Sequence, residues 1–261
     1  MASNISGKSV IVTGAANGVG LAIARLMVTN GANVLLADMD EDKLEAEVAT
    51  LTDSPGKAAS FAGDLREKLT VNNLMAATID AFDSVDVLIN ASRQVMASTP
   101  LDAREDSFEL MIHQNATVNM RLCQAAAKRM IAQKEPGAIV NLSSIAAQDC
   151  VPDSMGFSVA SAALDQLTRS LAVAYAPHDI RVNAVALGSV MSGSLQALIS
   201  EDEDLRDEVV AATPIGRIGE ADEAAQAVLF LASPCASFIT GQILAVDGGR
   251  SLLDRMSRLA Y

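Results

Sequence analysis

Three glycines set the first chemical expectation. In Thr13-Gly14-Ala15-Ala16-Asn17-Gly18-Val19-Gly20 an apolar run ends and a helical pattern begins. Gly14 permits a tight turn out of a strand, and Gly18 lets backbone come close to a pyrophosphate. Gly20 lets the following helix pack against the sheet, with Asn17 and Val19 in the same turn. The N–H groups that open this helix then point at the phosphates. Asp38 ends the next apolar run, where a carboxylate accepts hydrogen bonds from both hydroxyls of an adenosine ribose. The same charge repels a 2′-phosphate, and no Lys or Arg stands in the glycine loop or beside Asp38 to neutralise one. Together these features predict a dinucleotide cofactor, NAD in preference to NADP. The other role open to Asp38 is to cap the helix that starts at Glu41, for which Asp40 is better placed.

Other chemistries find little support. The cysteines (Cys123, Cys150, Cys235) and histidines (His113, His178) lack metal-ligand spacing, and the cysteines form no disulfide framework. Nineteen basic against 32 acidic residues, a net charge of −13, argue against a nucleic-acid partner.

The cradle needs a sheet to hold it, and the sequence supplies one. Apolar runs over Lys8 to Thr13, Asn33 to Ala37, Lys57 to Ala62, Val85 to Asn90, Gly137 to Leu142, Ile180 to Val185 and Gln242 to Val246 read as strands. Helical spacing fills the intervals, as in Val19 to Asn30 and Glu41 to Leu51. The alternation implies an α/β, doubly wound fold: a seven-stranded parallel sheet with helices on both faces. Apolar residues are 50% of the 261, ample for one core. No apolar run reaches the roughly 18 residues of a membrane span. The opening Met-Ala-Ser-Asn-Ile-Ser-Gly-Lys has no apolar leader stretch, which points to the cytoplasm. With no repeat or linker, a single domain over 1–261 is expected, interrupted by a long segment from Ser189 to Thr213.

Further motifs follow in order: Gly63-Asp64-Leu65, Leu88-Ile89-Asn90-Ala91, Asn141-Leu142-Ser143-Ser144, Leu187-Gly188-Ser189-Val190-Met191-Ser192, Pro214 to Gly219, and Val246-Asp247-Gly248-Gly249. In these the chain resembles the classical short-chain dehydrogenase/reductase family, from about Gly7 to Gly249. The resemblance implies a Rossmann-type domain that binds NAD, acts on an alcohol or carbonyl compound and assembles as a homodimer or homotetramer. It implies that Asp64, followed by Leu65, meets the adenine amino group. Asn90 matches the first Asn of an Asn-Asn-Ala-Gly motif. Val190 and Ser192 match the segment that clasps the nicotinamide carboxamide, and 189–213 matches a substrate lid. Asn115 matches the helix Asn that holds a relay water, and Ser144 the serine that hydrogen-bonds the substrate oxygen.

The departures are concentrated at one place. The family's proton-passing tyrosine and its lysine partner fall on Phe157 and Ser161, in Phe157-Ser158-Val159-Ala160-Ser161. The spacing from Ser144 and the matches Ser158 and Ala160 to Asp165 argue against a register slip. A phenyl ring neither gives nor takes a proton, and serine carries no charge. Of the two tyrosines, Tyr175 lies roughly 27 Å further along the same helix at about 1.5 Å per residue. Tyr261, at the C-terminus, would have to come from a neighbouring subunit. The loop between offers Gln148, Asp149, Cys150, Asp153 and Ser154, and the cleft rim offers Arg93 and His113. Leu187 replaces the usual Pro, and Arg93 replaces the motif's Gly, filling space above the adenosine. Three functions stay open: an NAD-dependent oxidoreductase with a degenerate site, a catalytically silent NAD-binding homologue with a structural or regulatory role, and non-redox chemistry in the same pocket. The apolar segment Ser194 to Ile199 suggests a hydrophobic small-molecule substrate. Ala160, Ala162 and Ala163 would permit close helix packing across a two-fold axis.

Overall fold

The computed structural model describes residues 5–96, 100–101, 107–149 and 153–253. Seven strands form one sheet: β1 (Ser9–Thr13), β2 (Asn33–Asp38), β3 (Ala58–Ala62), β4 (Val87–Asn90), β5 (Gly137–Ser144), β6 (Ile180–Leu187) and β7 (Ile243–Val246). Each agrees with its sequence reading to within about two residues. The order is β3-β2-β1-β4-β5-β6-β7, and every pairing is parallel. The central strands are mostly apolar because helices cover both faces; β1 and β4 are buried throughout.

One face carries α1 (Gly18–Thr29), α2 (Glu41–Thr50) and α9 (Ala221–Ala232), whose Ile23, Met27, Leu44 and Val228 are sealed against Val10, Val34 and Val140. The other carries α3 (Lys68–Phe82), α5 (Val118–Gln133) and the end of α6 (Met155–Tyr175), packed on Ile11, Leu88 and Ile139 through Leu74, Leu122 and Ala172. Between them, in chain order, α4 (Ser107–Ile112) runs into α5 through a single wide π-helical turn, His113–Thr117. The segment expected as a lid contains two helices, α7 (Gly193–Glu201) and α8 (Glu203–Ala211). Asp202 ends the first and caps the second through the N–H of Asp204 at 3.1 Å.

A buried polar chain ties sheet to helix. Asn90 Nδ2 donates to Asn141 Oδ1 at 2.8 Å, and Asn141 Nδ2 donates to Thr168 Oγ1 at 2.9 Å. Breaking one link would strand its partner at a cost of about 1–3 kcal/mol. Ala160, expected on a packing surface, is instead wholly buried beside Met111 and Phe157; Ala162 and Ala163 are exposed. Among the described residues no helix is long and apolar enough to cross a membrane.

Candidate functional site

Strand order reverses between β1 and β4, and a doubly wound sheet opens a crevice at the C-terminal strand ends at such a point. A cleft of about 260 Å³ lies there, walled by Gly14, Asn17–Gly20 and Asp38 on one side and by Ala91, Ser92, Arg93, Val95, Leu142 and Ser192 on the other. A larger groove of about 710 Å³ lies between α3 and α5, lined by Lys68, Met75, Arg121 and Lys128 among others. It is off the strand ends, so the smaller cleft is the candidate site.

The cradle has the form its glycines require. Gly14 (φ 67°) and Gly18 (φ 54°) are left-handed. A Cβ on Gly20 would sit 2.1 Å from the Gly14 carbonyl oxygen, so α1 can start this close to the loop only with glycine. No acidic residue occupies the first turn of α1, and the Asn17 side chain makes no cap. The opening N–H groups are thus left for an anion. Asp40 caps α2 through the Lys43 N–H at 3.2 Å, as expected. Asp38 takes the N–H of Ala16 at 3.1 Å and of Met39 at 2.7 Å, which fixes its carboxylate at the cleft wall. These groups suit a pyrophosphate and an unphosphorylated adenosine ribose.

Two residues expected to meet the cofactor are otherwise engaged. Asp64 is held by the guanidinium of Arg66, at 2.8 Å through Nε and 2.6 Å through Nη2, which keeps its carboxyl below the usual range. The Asn90 side chain is buried in the polar chain described above, with a further 3.3 Å contact to Cys123 Sγ. Leu65 is buried and Val190 is buried beside Gly219, to which it forms a β-bridge. Ser192 caps α7 through the Leu195 N–H at 3.2 Å while lining the cleft. Ala91, Ser92, Val95 and Leu142 are wall residues that the reading missed. Their signal was position: they follow β4 or lie near the end of β5.

The expected reaction centre is closed upon itself. Phe157 is buried against Met111 and Ala160, with Met96, Ile112 and Ala146 around them. Ser161 is buried, and its hydroxyl donates back to the Phe157 carbonyl at 2.8 Å. Ser144 Oγ accepts the Ala146 N–H at 3.2 Å and makes only a long 3.4 Å contact to the Leu187 carbonyl. Asn115 clamps the loop after β4: its Oδ1 accepts the Gln94 N–H at 2.9 Å and its Nδ2 donates to the Gln94 carbonyl at 2.8 Å. The π-helical turn brings it there, and its own carbonyl accepts from Asn119 Nδ2 at 2.7 Å.

Among the described residues, the alternative proton donors are not brought together. Asp153 is exposed and Asp149 half-buried. Tyr175 packs at the far end of α6 against the core, where burial raises its pKa. His113 opens the π-helical turn and lines a shallow surface pocket with Phe108 and Leu110. Cys150 and Tyr261 lie outside the described residues. Arg93, expected over the adenosine, instead directs its guanidinium towards β5, 3.5 Å from the Ser143 carbonyl. Burial there disfavours its charged form.

Sheet order, glycine cradle and acid-tipped β2 define a Rossmann-type dinucleotide-binding protein, and NAD(H) is the cofactor that goes with it. A family model described as enoyl-(acyl carrier protein) reductase matches residues 14–251. The 2,5-dichloro-2,5-cyclohexadiene-1,4-diol dehydrogenase of Sphingobium indicum is 38% identical over 248 residues, covering 95% of this chain and 98% of the relative. The cis-4-hydroxycyclohexanecarboxylate dehydrogenase of Sinomonas cyclohexanicum is 37% identical, covering 92% and 94%. A solved 7α-hydroxysteroid dehydrogenase complexed with NADH and 7-oxo glycochenodeoxycholic acid superposes with a TM-score of 0.90 at 29% identity, covering 95% of this chain and 97% of that one. The chain belongs to the short-chain dehydrogenase/reductase family.

Proposed function

We propose that this protein is an NAD(H)-dependent oxidoreductase of ring-borne secondary alcohols and ketones that works without a side-chain proton donor. The observation that carries this reading is the contrast inside one cleft. The cradle of Gly14, Gly18, Gly20 and Asp38 is complete, whereas Phe157 and Ser161 stand at the positions of the family's tyrosine and lysine. The substrate class follows the relatives, whose names specify a cyclohexadienediol, a hydroxycyclohexane and a hydroxysteroid.

In this reading Asp38 takes the adenosine ribose hydroxyls and the opening amides of α1 take the pyrophosphate. Val190 and Ser192 lie at the nicotinamide end, and 189–213 closes over the substrate. The nicotinamide, when bound, supplies or accepts the hydride. Ser144 holds the substrate oxygen, because its 3.4 Å contact to Leu187 is easily exchanged for a shorter bond. The proton passes to or from solvent, since neither Phe157 nor Ser161 can carry it efficiently. The missing acid–base help lowers the rate by ~10²–10⁴ relative to a tyrosine-bearing site.

A second reading has its own support. The Ser161–Phe157 hydrogen bond and the packing of Phe157 leave neither of these two positions offering a polar group to a substrate. This is the arrangement of a silent NAD-binding homologue. Single-turnover reduction of cyclohexanone, decalone and oxosteroid panels by bound NADH separates the two. Slow, substrate-dependent loss of the 340 nm signal supports the oxidoreductase; none across the panel, with NADH bound, leaves the silent protein.

A further inference from the structure

Arg93 is a costly residue to keep where it is. Arg93 is half-buried in the wall of the cleft, and its guanidinium has one contact to a neutral carbonyl, at the 3.5 Å limit of hydrogen bonding. It makes no ion pair among the described residues, although five N–H donors are available. The loop carrying it is not free to swing out, because Asn115 grips Gln94, the next residue, through two hydrogen bonds. A half-buried cation that faces the cleft, makes no ion pair among the described residues and sits on a braced loop is set to receive a partner that arrives later.

The order of the strand ends says which part of the cofactor that partner is. Asp38 tips β2, the glycine loop leaves β1, and Arg93 leaves β4 and reaches Ser143 on β5. Adjacent strands lie about 4.8 Å apart. With the adenosine ribose at β2 and the pyrophosphate at β1, the nicotinamide-side ribose would fall towards β4, on the side of the guanidinium. Position 161, where the family's lysine would serve that ribose from α6, holds a serine satisfied by its own helix.

We propose that Arg93 is the cationic anchor of the nicotinamide half of NAD(H), supplied from the β4 loop in place of a lysine from α6. The inference rests on the cofactor assignment made above. It makes Arg93 a cofactor-binding residue that holds the reactive end in place without itself moving a proton.

Calorimetric titration with NADH and with ADP, which lacks the nicotinamide-side ribose, tests it. Arg93→Ala is expected to weaken NADH at least ten-fold while changing ADP by less than two-fold. Arg93→Lys should keep most of the affinity, and adding Ser161→Lys to Arg93→Ala should recover at least three-fold. Unchanged or tighter NADH binding by Arg93→Ala would overturn the inference, as would equal losses for NADH and ADP. If the wild-type protein binds neither ligand, the cofactor assignment itself has failed. That outcome is distinct, because it precedes any comparison of variants.

Discussion

At the scale of single residues, the site differs from a working one by very few atoms. Phe157 lacks one phenolic oxygen and Ser161 lacks an ammonium group. Phe157→Tyr with Ser161→Lys restores both on one helix face, four residues apart. We expect the pair to raise ketone reduction at least ten-fold, measured as steady-state NADH oxidation, and each single change to do little. A tyrosine without a cation stays near its free pKa of ~10, and a lysine without a phenol has no proton to tune. A folded double variant that binds NADH and shows no gain would mean that the rest of the pocket no longer orients a substrate. Asp38 makes a separate prediction. Its carboxylate is fixed by Ala16 and Met39, so Asp38→Asn keeps the shape and removes the charge. The preference for NADH over NADPH, read as a ratio of Kd values, is expected to narrow by roughly ten-fold, as for the loss of one charge-assisted contact. Preference for NADPH in the wild type would remove Asp38 from the ribose.

At the scale of elements, α1 and α2 are joined by the Arg25–Glu47 pair, bidentate at 2.6 Å. Hydrogen bonding from Arg25 holds the Glu47 carboxyl below its usual range, more than burial raises it. A depressed carboxylate stabilises fully above its unfolded pKa of ~4.3 and loses that contribution as pH falls through the lower folded value. Glu47→Gln is therefore expected to melt earlier at pH 7 by the equivalent of about 1 kcal/mol, limited by the exposure of Arg25. The two melting curves should converge at low pH. A gap that persisted there would assign the effect to packing. The elements were legible because periodicity writes itself into every residue of a buried strand. The partners of individual side chains were not. Asn90 could be placed at a strand end, but its turn inward depended on Asn141 and Cys123 from other segments. Asp64, expected at the adenine, pairs with Arg66 two residues on, a contact that the resemblance alone did not bring out. The π-helical turn carrying Asn115 had no sequence signal, since one extra residue in a helix leaves the apolar pattern nearly intact. Ala160 was placed on the wrong side of α6 because small residues suit a core and an interface equally.

At the scale of the whole molecule, apolar surface gathers near one sheet edge. Phe238 is fully exposed, and Leu244 on β7, Phe230 on α9, Leu252 and Leu253 are also accessible. Such residues on an edge strand and its covering helix favour self-association. We expect a dimer or tetramer by light scattering, and a shift to smaller species in Phe238→Asp. A wild-type monomer at high micromolar concentration would count against an assembly through this edge.

The charges bear on how fast the cofactor arrives and leaves. The chain carries a net −13, and NADH is itself a dianion, so the two approach against a repulsive field. Only at close range does the guanidinium of Arg93 reverse the sign of that encounter. Added salt shortens the Debye length from about 30 Å at 0.01 M to about 8 Å at 0.15 M, which screens the distant repulsion far more than a buried pairing. Stopped-flow association of NADH should therefore accelerate with ionic strength, the opposite of a protein that steers its ligand in. Dissociation should change much less, because the contact that retains the cofactor lies below the reach of mobile ions. The protein would then be hard to enter and slow to leave, holding its cofactor through fluctuations in supply.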